Sequence, residues 1–369
     1  MMNPTITYYK LALTMVPGVG PKRFRQLLDQ DIELEEYFKL PLKKLKKIEG
    51  IRELIAEGLS SFCLHDRVHQ EISYCEKQGI RMLFVDEDEY PTQLKKCADA
   101  PSVLFAKGQG LLPPERCLSV IGTRSASEYG KRITEEIIHE LKSYNVTIVS
   151  GLAYGIDAYA HKAALQHNMS TWGVVAHGLH TIYPPAHNTL AKEMQQNGGL
   201  LSEYLHDVHI EKTHFPTRNR IVAGISQATL VIETDTKGGS MITAELAHGY
   251  KRDIFCVPGR LGDRKSSGCN ELIRSLKGQL VTSADDIATV LGWKKINTKK
   301  HRQIPLFVHL SPDEESIVNY LKQQAQPTHI DEVLAQTQLG HTRLAGALLS
   351  LEMQQIIKTL PGKLLSLPE

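Results

Sequence analysis

Three basic groups, an amide and an aromatic ring lie within nine residues in the second half of the chain. The members of this group are Lys212, Phe215, Arg218, Asn219 and Arg220. Cations bind phosphates and an aromatic ring stacks on a base, so the group predicts a site for single-stranded nucleic acid. The residues also allow a structural alternative, in which an arginine holds neighbouring loops through carbonyl and carboxylate oxygens. We expect at least one of Arg218 and Arg220 to have that structural role.

Two other loops combine small residues with a cation. One contains Gly122, Thr123 and Arg124, and the other contains Lys237, Gly239 and Ser240. Small residues let backbone N–H groups approach an anion, and the helix predicted after each loop adds its dipole. Neither loop has the glycine spacing of a dinucleotide-binding turn or of a P-loop. We therefore predict anion binding here, and neither NAD, ATP nor any other cofactor.

The segment from Ser150 to Asp157 predicts a tight turn between a strand and a helix, with Gly151 at its start. Asp157 is suited to cap that helix, and this structural role explains it without any catalytic one. We count Gly151, at the strand end, among the candidate DNA-binding residues.

Several patterns that resemble catalytic or metal sites are incomplete. Two His-x-x-His pairs, at 177–180 and 206–209, lack the glutamate and cysteine companions of zinc sites. Ser150 is not in a Gly-x-Ser-x-Gly turn, and the acidic residues of the loops are single. We therefore predict no metal site and no catalytic residue, and expect a binding protein instead of an enzyme.

Short apolar runs separated by helical periodicity must position these loops. The runs lie at 118–121, 146–149, 172–176, 228–232 and 254–257, followed by Gly, Ser, His, Glu and Pro respectively. Buried parallel strands have this pattern, which predicts an α/β fold with a Rossmann-like doubly wound sheet over residues 76–292. Ligands of such sheets bind at the carboxyl ends of the strands, where the glycines and arginines cluster.

The two ends of the chain predict smaller units. Residues 1–75 are expected to form a helical domain containing a helix-hairpin-helix turn at 16–22, whose amides either bind a phosphate or simply connect two helices. After a basic linker at 293–304, residues 305–369 predict a winged helix. Its second helix carries only Arg343 as a base, which favours a protein contact over the reading of duplex DNA.

The charge of the chain is balanced overall and uneven locally. The 369 residues include 43 basic and 41 acidic side chains, which excludes a polybasic protein. Residues 212–277 nevertheless carry a net charge of +5, and residues 305–369 carry −3. Six scattered cysteines, no apolar run of about 18 residues and no secretion signal predict a cytoplasmic protein without a membrane span.

Many ordered motifs between about residues 80 and 290 resemble the DprA/Smf family of DNA-processing proteins. They include Gly122-Thr123-Arg124, Ser150-Gly151-Leu152-Ala153 and Phe215-Pro216-Thr217-Arg218-Asn219-Arg220. The resemblance implies an extended Rossmann domain that binds single-stranded DNA, forms a homodimer and helps to load RecA onto incoming DNA during natural transformation. It also implies an N-terminal sterile-alpha-motif-like domain and a C-terminal winged helix. By the family pattern Arg124 grips phosphate, Lys212, Arg218 and Arg220 line a basic pocket, and Phe215 stacks on a base.

The sequence departs from the family pattern at three places, and two other functions compete. Thr123 replaces a common Ser, Lys237 adds a cation, and the segment Ala176-His177-Gly178-Leu179-His180 stands where Leu-Gly-x-Gly-Leu-Asp is usual, so that His177 and His180 add bulk at a loop end. One alternative is a nucleotide phosphoribohydrolase, whose Pro-Gly-Gly-x-Gly-Thr signature residues 237–245 match only loosely. The other is a transcription regulator that binds duplex DNA through residues 305–369.

Overall fold

A computed structural model of the chain describes residues 4–114, 116–296, 310–324, 327–354 and 356–367. Backbone contacts divide the chain into two compact units, one up to Ile296 and one beyond it. None of the helices in the described residues is long and apolar enough to cross a membrane.

The first unit begins with six helices and continues with alternating strands and helices. Its helices are α1 (Pro4–Thr14), α2 (Pro21–Leu28), α3 (Leu34–Lys39), α4 (Leu42–Leu45), α5 (Glu53–Ser60), α6 (His65–Gln78), α7 (Thr92–Lys95), α8 (Glu128–Leu141), α9 (Ile156–Gln166), α10 (Asn188–Met194), α11 (His214–Ile225), α12 (Gly239–Gly249), α13 (Ser267–Arg274) and α14 (Ala284–Leu291). Its strands are β1 (Ile80–Phe84), β2 (Val103–Lys107), β3 (Cys117–Ile121), β4 (Thr147–Ser150), β5 (Thr171–Val174), β6 (Gly198–Ser202), β7 (Ala228–Val231), β8 (Asp253–Cys256) and β9 (Gln279–Leu280).

The strands form one mixed sheet in the order β1-β2-β6-β5-β4-β3-β7-β8-β9. The seven strands from β6 to β9 in this order pair in parallel, and β2 joins β6 and β1 in antiparallel. Five of the seven, β3, β4, β5, β7 and β8, correspond to the predicted apolar runs. From β3 the chain winds outward through β4, β5 and β6, and then returns to β7 on the other side of β3. This reversal between β3 and β7 is a topological switch point, where open α/β sheets bind their ligands.

The sheet is buried on both faces. Strands β3, β4, β5, β6 and β7 are buried along their whole length, and α8 and α9 pack over one face of the sheet. Trp172 of β5 is fully buried, and its indole Nε1 donates to the carbonyl of Leu111 at 3.0 Å. The central strands are therefore a rigid platform for the loops at their carboxyl ends.

The N-terminal helices contain the same hairpin twice. Gly18 lies in the turn between α1 and α2, and Gly50, 32 residues later, lies between α4 and α5. Both have φ of +83°, a conformation that favours glycine. A Cβ on Gly18 would lie 3.2 Å from Ile55 of α5, and one on Gly50 would lie 3.7 Å from Arg23 of α2. Since positions 23 and 55 are also 32 residues apart, the two hairpins pack reciprocally, each turn against the other's second helix.

These helices share one hydrophobic core with the sheet. Phe24 of α2 stacks on Phe84 at the end of β1, with ring centroids 6.4 Å apart. Lys10 of α1 is buried and pairs with Asp86 and Glu87, just after β1. Residues 4–75 thus pack against the sheet within the first unit, and their status as a domain of their own stays a prediction.

The predicted linker, 293–304, begins inside the first unit. Trp293 is buried, and its indole Nε1 donates to the amide oxygen Oε1 of Gln227 at 2.9 Å. The amide of Ile296 donates to the carbonyl of Ser143 at 2.8 Å. The remaining linker residues, 297–304, lie outside the described residues.

The second unit is a small winged helix. It contains α15 (Pro312–Gln323), β10 (Thr328–His329), α16 (Ile330–Thr337), α17 (His341–Met353), β11 (Lys358–Leu360) and β12 (Leu364–Ser366). Ser311 caps α15 in a capping box with Glu314, and β12 pairs with both β10 and β11. The turn between β11 and β12 contains Gly362 with φ of +86°, and the two strands pair in antiparallel as a wing.

Candidate functional site

A cavity of about 420 Å³ opens at the switch point of the sheet. It lies beyond the carboxyl ends of β3, β4 and β7 and is closed on its sides by α11 and α12. Nine of the predicted DNA-binding residues line it: Gly122, Thr123, Arg124, Gly151, Phe215, Arg218, Asn219, Gly239 and Ser240. Residues that are more than 100 positions apart in sequence therefore meet in one place.

The loop after β3 is held by the loop after β7. The amide of Thr123 donates to the carbonyl of Glu233 at 2.7 Å, and the carbonyl of Thr123 accepts from the amide of Ile156 at 3.1 Å. Gly122 has no room for a side chain, because a Cβ would lie 2.5 Å from Ile156. The buried Glu233 carboxylate also accepts from the amide of Ser127, which caps α8. These contacts fix the backbone from which Arg124 projects.

Arg124 is exposed at the mouth of the cavity. Its guanidinium lies 5.5 Å from the centroid of the Phe215 ring, and no acidic group lies within 4 Å of it in the described part of the chain. The Phe215 ring also approaches Tyr183, with centroids 6.0 Å apart. A free cation beside a half-buried ring, Phe215, and an exposed one, Tyr183, is suited to one phosphate and one stacked base.

Arg218 has a different role, because it is only 5% exposed. Its Nη1 donates to the carbonyls of Gly151 and Val174, at the ends of β4 and β5. The nearby carboxylate of Asp157 accepts from the amides of Gly151 at 3.1 Å and Ala153 at 3.3 Å. Burial raises the pKa of Asp157, and the Arg218 charge opposes that rise. Burial lowers the pKa of Arg218, and the Asp157 charge opposes that shift. Each of the two opposite charges therefore stabilises the other at the floor of the cavity.

Arg220 lies outside the lining of the cavity. It forms an ion pair with Glu203, and both side chains are more than four-fifths buried. Burial raises the pKa of Glu203, and the Arg220 charge opposes this. The expectation that at least one arginine of the pair holds neighbouring loops therefore applies to both, and the assignment of Arg220 to the binding surface has no support from this geometry.

The opposite lip of the cavity is the start of α12. A Cβ on Gly239 would have no atom within 4 Å, so the backbone at Gly239 is open to a ligand. The hydroxyl of Ser240 donates to Thr234 Oγ1 at 2.7 Å and holds the loop after β7. Lys237 is exposed but does not line the cavity, and the same is true of Lys212 before α11.

The histidines at the departures from the family pattern divide into a buried and an exposed one. His177 is 1% exposed and its Nδ1 bonds to the carbonyl of Gly178 at 2.8 Å, while burial lowers its pKa. The ring of His180 lies 6.1 Å from that of His209 at the surface. No group of three metal-ligating side chains is present among the residues that the structure describes.

Tyr183 is the functional candidate that motif reasoning did not select. It precedes Pro184 in a loop that follows β5, and its ring is 44% exposed beside Phe215. The available signal was an aromatic residue in a loop that follows a predicted strand.

The family model described as DNA recombination-mediator protein A matches residues 81–292, and the model of the DprA winged helix domain matches residues 307–363. The DNA processing protein DprA of Streptococcus pneumoniae is 40% identical over 76% of this chain and 97% of its own length. The chain belongs to the DprA/Smf family. The Smf protein of Synechocystis is 30% identical over 96% of this chain and 97% of its own length.

Two solved DprA structures are similar to this one. The S. pneumoniae DprA structure superposes with a TM-score of 0.64 at 32% identity, covering 80% of this chain and 99% of that chain. The Helicobacter pylori DprA structure superposes with a TM-score of 0.53 at 32% identity, covering 58% and 97% respectively. The latter was described for the unique single-stranded DNA binding mode of that protein. The relative from S. pneumoniae is named as a DNA processing protein.

Proposed function

We propose that this protein binds single-stranded DNA at the switch-point cavity and acts in recombination as a binding protein without turnover. The observation that carries the proposal is the exposed Arg124 over the Phe215 ring, at the mouth of a cavity whose lip is open backbone. A phosphate would contact the Arg124 guanidinium and the amides at Gly239, and a base would stack on Phe215. Membership in the family and the DNA-binding relative from H. pylori support this assignment.

The test is the binding of fluorescent oligothymidylate to the full chain, measured by anisotropy. Phe215→Ala should weaken binding by about 1 to 3 kcal/mol, the usual value of one stacked base. Tyr159→Ala is a matched control, because this ring is also half-buried with a cation, Lys131 Nζ, 5.4 Å from its centroid, and it lies outside the cavity lining. If both variants bound like the wild type, the assignment of this site would be wrong.

The proposed partners are RecA and a second copy of this chain. RecA loading would be detected as faster filament formation on DNA coated with single-strand-binding protein, and protection of incoming DNA as resistance to an exonuclease.

A homodimer is supported by exposed leucines near the sheet edge, where Leu276 is 92% and Leu280 of β9 is 52% exposed. Light scattering after gel filtration tests it, and a monomeric mass would overturn it. We propose a cytoplasmic location, supported by six cysteines without a disulfide.

The phosphoribohydrolase alternative has less support. It would need Glu245 at the reaction site, yet Glu245 pairs with Lys277 at the surface and does not line the cavity. Release of adenine from AMP by the purified protein would revive this alternative.

A further inference from the structure

The segment after β8, residues 258–266, is a loop beside the cavity that the proposed site does not include. Its first residues are held firmly: Asn270 donates to the carbonyl of Gly259 at 3.0 Å and accepts from the amide of Gly259 at 3.2 Å. The Tyr129 hydroxyl donates to the carbonyl of Pro258 at 2.9 Å. The loop thus has a fixed base at the carboxyl end of a central strand.

This loop is joined to the lip of the cavity. Arg264 pairs with Asp235, and Asp235 lines the cavity. Just after the loop, the amide of Gly268 donates to the carbonyl of Thr234, another lining residue, at 2.8 Å. The surface of residues 258–266 is therefore continuous with the side of the cavity opposite Arg124.

Three cations on this surface, Lys237, Arg260 and Lys265, are unpaired within the described residues. Asp235 is occupied by Arg264, and Asp263 accepts from the amide of Lys265 at 3.0 Å. Within the described residues, no acidic group lies within 4 Å of the side-chain nitrogens of Lys237, Arg260 or Lys265. Apolar contact is also available on this side, because Ile242 of α12 lines the cavity and is 46% exposed.

We propose that Lys237, Arg260 and Lys265 form an exit track, which binds the phosphates of single-stranded DNA where the strand leaves the cavity. This inference rests on the proposed function of the cavity and extends its footprint. The strand enters past Arg124 and Phe215, crosses the open backbone at Gly239 and continues over residues 258–266. Unpaired cations along a continuous surface track the backbone of a single strand without regard to its sequence.

The test compares two lengths of DNA. An oligothymidylate of about 5 nucleotides fills the cavity alone, and one of about 30 nucleotides also covers the exit track. In the full chain, the double variant Arg260→Gln/Lys265→Gln should bind the short strand like the wild type and the long strand on the order of tenfold more weakly. The slope of log affinity against log salt for the long strand should fall by about 1.4, because two phosphate contacts are lost.

A matched control is Lys142→Gln/Lys192→Gln. Both lysines are exposed near the ends of α8 and α10, which return to the amino ends of the parallel strands. This control should bind both strands like the wild type. The exit track is overturned if Arg260→Gln/Lys265→Gln leaves the long strand unaffected, or if it weakens both lengths equally. If the wild type binds neither strand, the proposed function fails and the track fails with it.

Discussion

Each unit of this protein presents an arginine where its fold usually meets a ligand, and the two arginines differ in one respect. Arg124 lies at the switch point of the sheet with an aromatic ring beside it and no acidic partner among the described residues. Arg343 lies in the first turn of α17, the helix that reads DNA in many winged helices, and its guanidinium makes two hydrogen bonds to Asp313 at the start of α15. The cation of the first unit is free to bind a phosphate, while that of the second is already neutralised.

This difference shows that the groups around an arginine determine its role more than the position of the arginine in a motif does. The second unit also exposes Leu349 and Met353 on α17, which are 62% and 79% exposed, and these side chains do not bind phosphate. The comparison favours DNA on the sheet and agrees with the expectation of a protein contact for the winged helix. The following predictions test each side of the comparison.

The largest expected effect concerns the buried arginine beneath the cavity. Arg218→Met would leave the carbonyls of Gly151 and Val174 unpaired and the buried Asp157 charge uncompensated. We expect the free energy of unfolding of the first unit to fall by about 3 to 5 kcal/mol. Urea titration followed by tryptophan fluorescence reports this unit alone, because the two tryptophans of the chain, Trp172 and Trp293, both lie in it.

The matched change in the second unit is Arg343→Met, which breaks an exposed ion pair. The tryptophan-detected unfolding curve should not move in this variant. An unchanged curve for Arg218→Met would contradict the role assigned to its buried guanidinium.

A smaller effect should follow from pH, and it should differ between the units. Burial lowers the pKa of His161 to about 3 from 6.5. Below about pH 6.5 the unfolded chain therefore binds a proton at His161 that the folded chain does not bind. As a consequence, the first unit loses stability progressively as the pH falls from 6.5 towards 3. In the winged helix, hydrogen bonds from Ser350 and Ser311 lower the pKa of Glu314, so its contribution is lost only below about pH 4.5.

Between about pH 6.5 and 4.5 the first unit should thus lose stability and the second should not. Tryptophan fluorescence follows the first unit, and amide hydrogen exchange within residues 310–367 follows the second. His161→Asn should reduce the pH dependence of the first unit, and His177, whose pKa burial also lowers, should account for part of what remains. Equal loss of stability in both units over this range would disprove the assignment.

The smallest expected effects come from two glycines with open surroundings. A Cβ on Gly239, at the lip of the cavity, or on Gly346, within α17, would meet no atom within 4 Å. Gly346→Ala should stabilise the winged helix by about 0.5 to 1 kcal/mol and leave DNA binding unchanged. Gly239→Ala should preserve folding and weaken oligothymidylate binding several-fold, because the added methyl obstructs the approach of a phosphate. Calorimetry measures the stability of both variants, and anisotropy measures their affinity for DNA. Equal DNA affinities for the two would contradict the approach of a phosphate to the backbone at Gly239.

The sequence predicted the central strands and missed those with an unusual composition. The apolar runs at 118–121, 146–149 and 228–232 became β3, β4 and β7, because buried parallel strands must be apolar on both faces. Strand β6 begins with Gly198 and Gly199, which are strand-breaking by composition. A side chain at Gly199 would collide with the ring of Trp172 in β5, so glycine is required by a contact that only the folded sheet reveals.

Of the two hairpins near the N-terminus, the sequence predicted only the first. The first turn contains both Gly18 and Gly20, while the second contains Gly50 and has Arg52 at the position of Gly20. The shared φ of +83° at Gly18 and Gly50, and not the glycine count, relates the two turns. The binding of phosphate by the first turn stays a prediction.

The division of labour between Arg218 and Arg220 could not be read from the motif. Two residues that are two positions apart on a helix point to different sides, so they cannot both face one cavity. Arg218 points to the ends of β4 and β5, and Arg220 to Glu203. The composition of the segment identified the two cations, but only the orientation of α11 shows that each of them binds other groups of the protein.

The most direct test of the central claim replaces each of the two compared arginines in turn. Oligothymidylate binding to full-length Arg124→Gln and Arg343→Gln would be measured by anisotropy at the same ionic strength, since phosphate contacts depend on salt. We predict that Arg124→Gln weakens binding on the order of tenfold or more and that Arg343→Gln binds like the wild type. Loss of binding in Arg343→Gln with normal binding in Arg124→Gln would contradict the placement of DNA on the sheet.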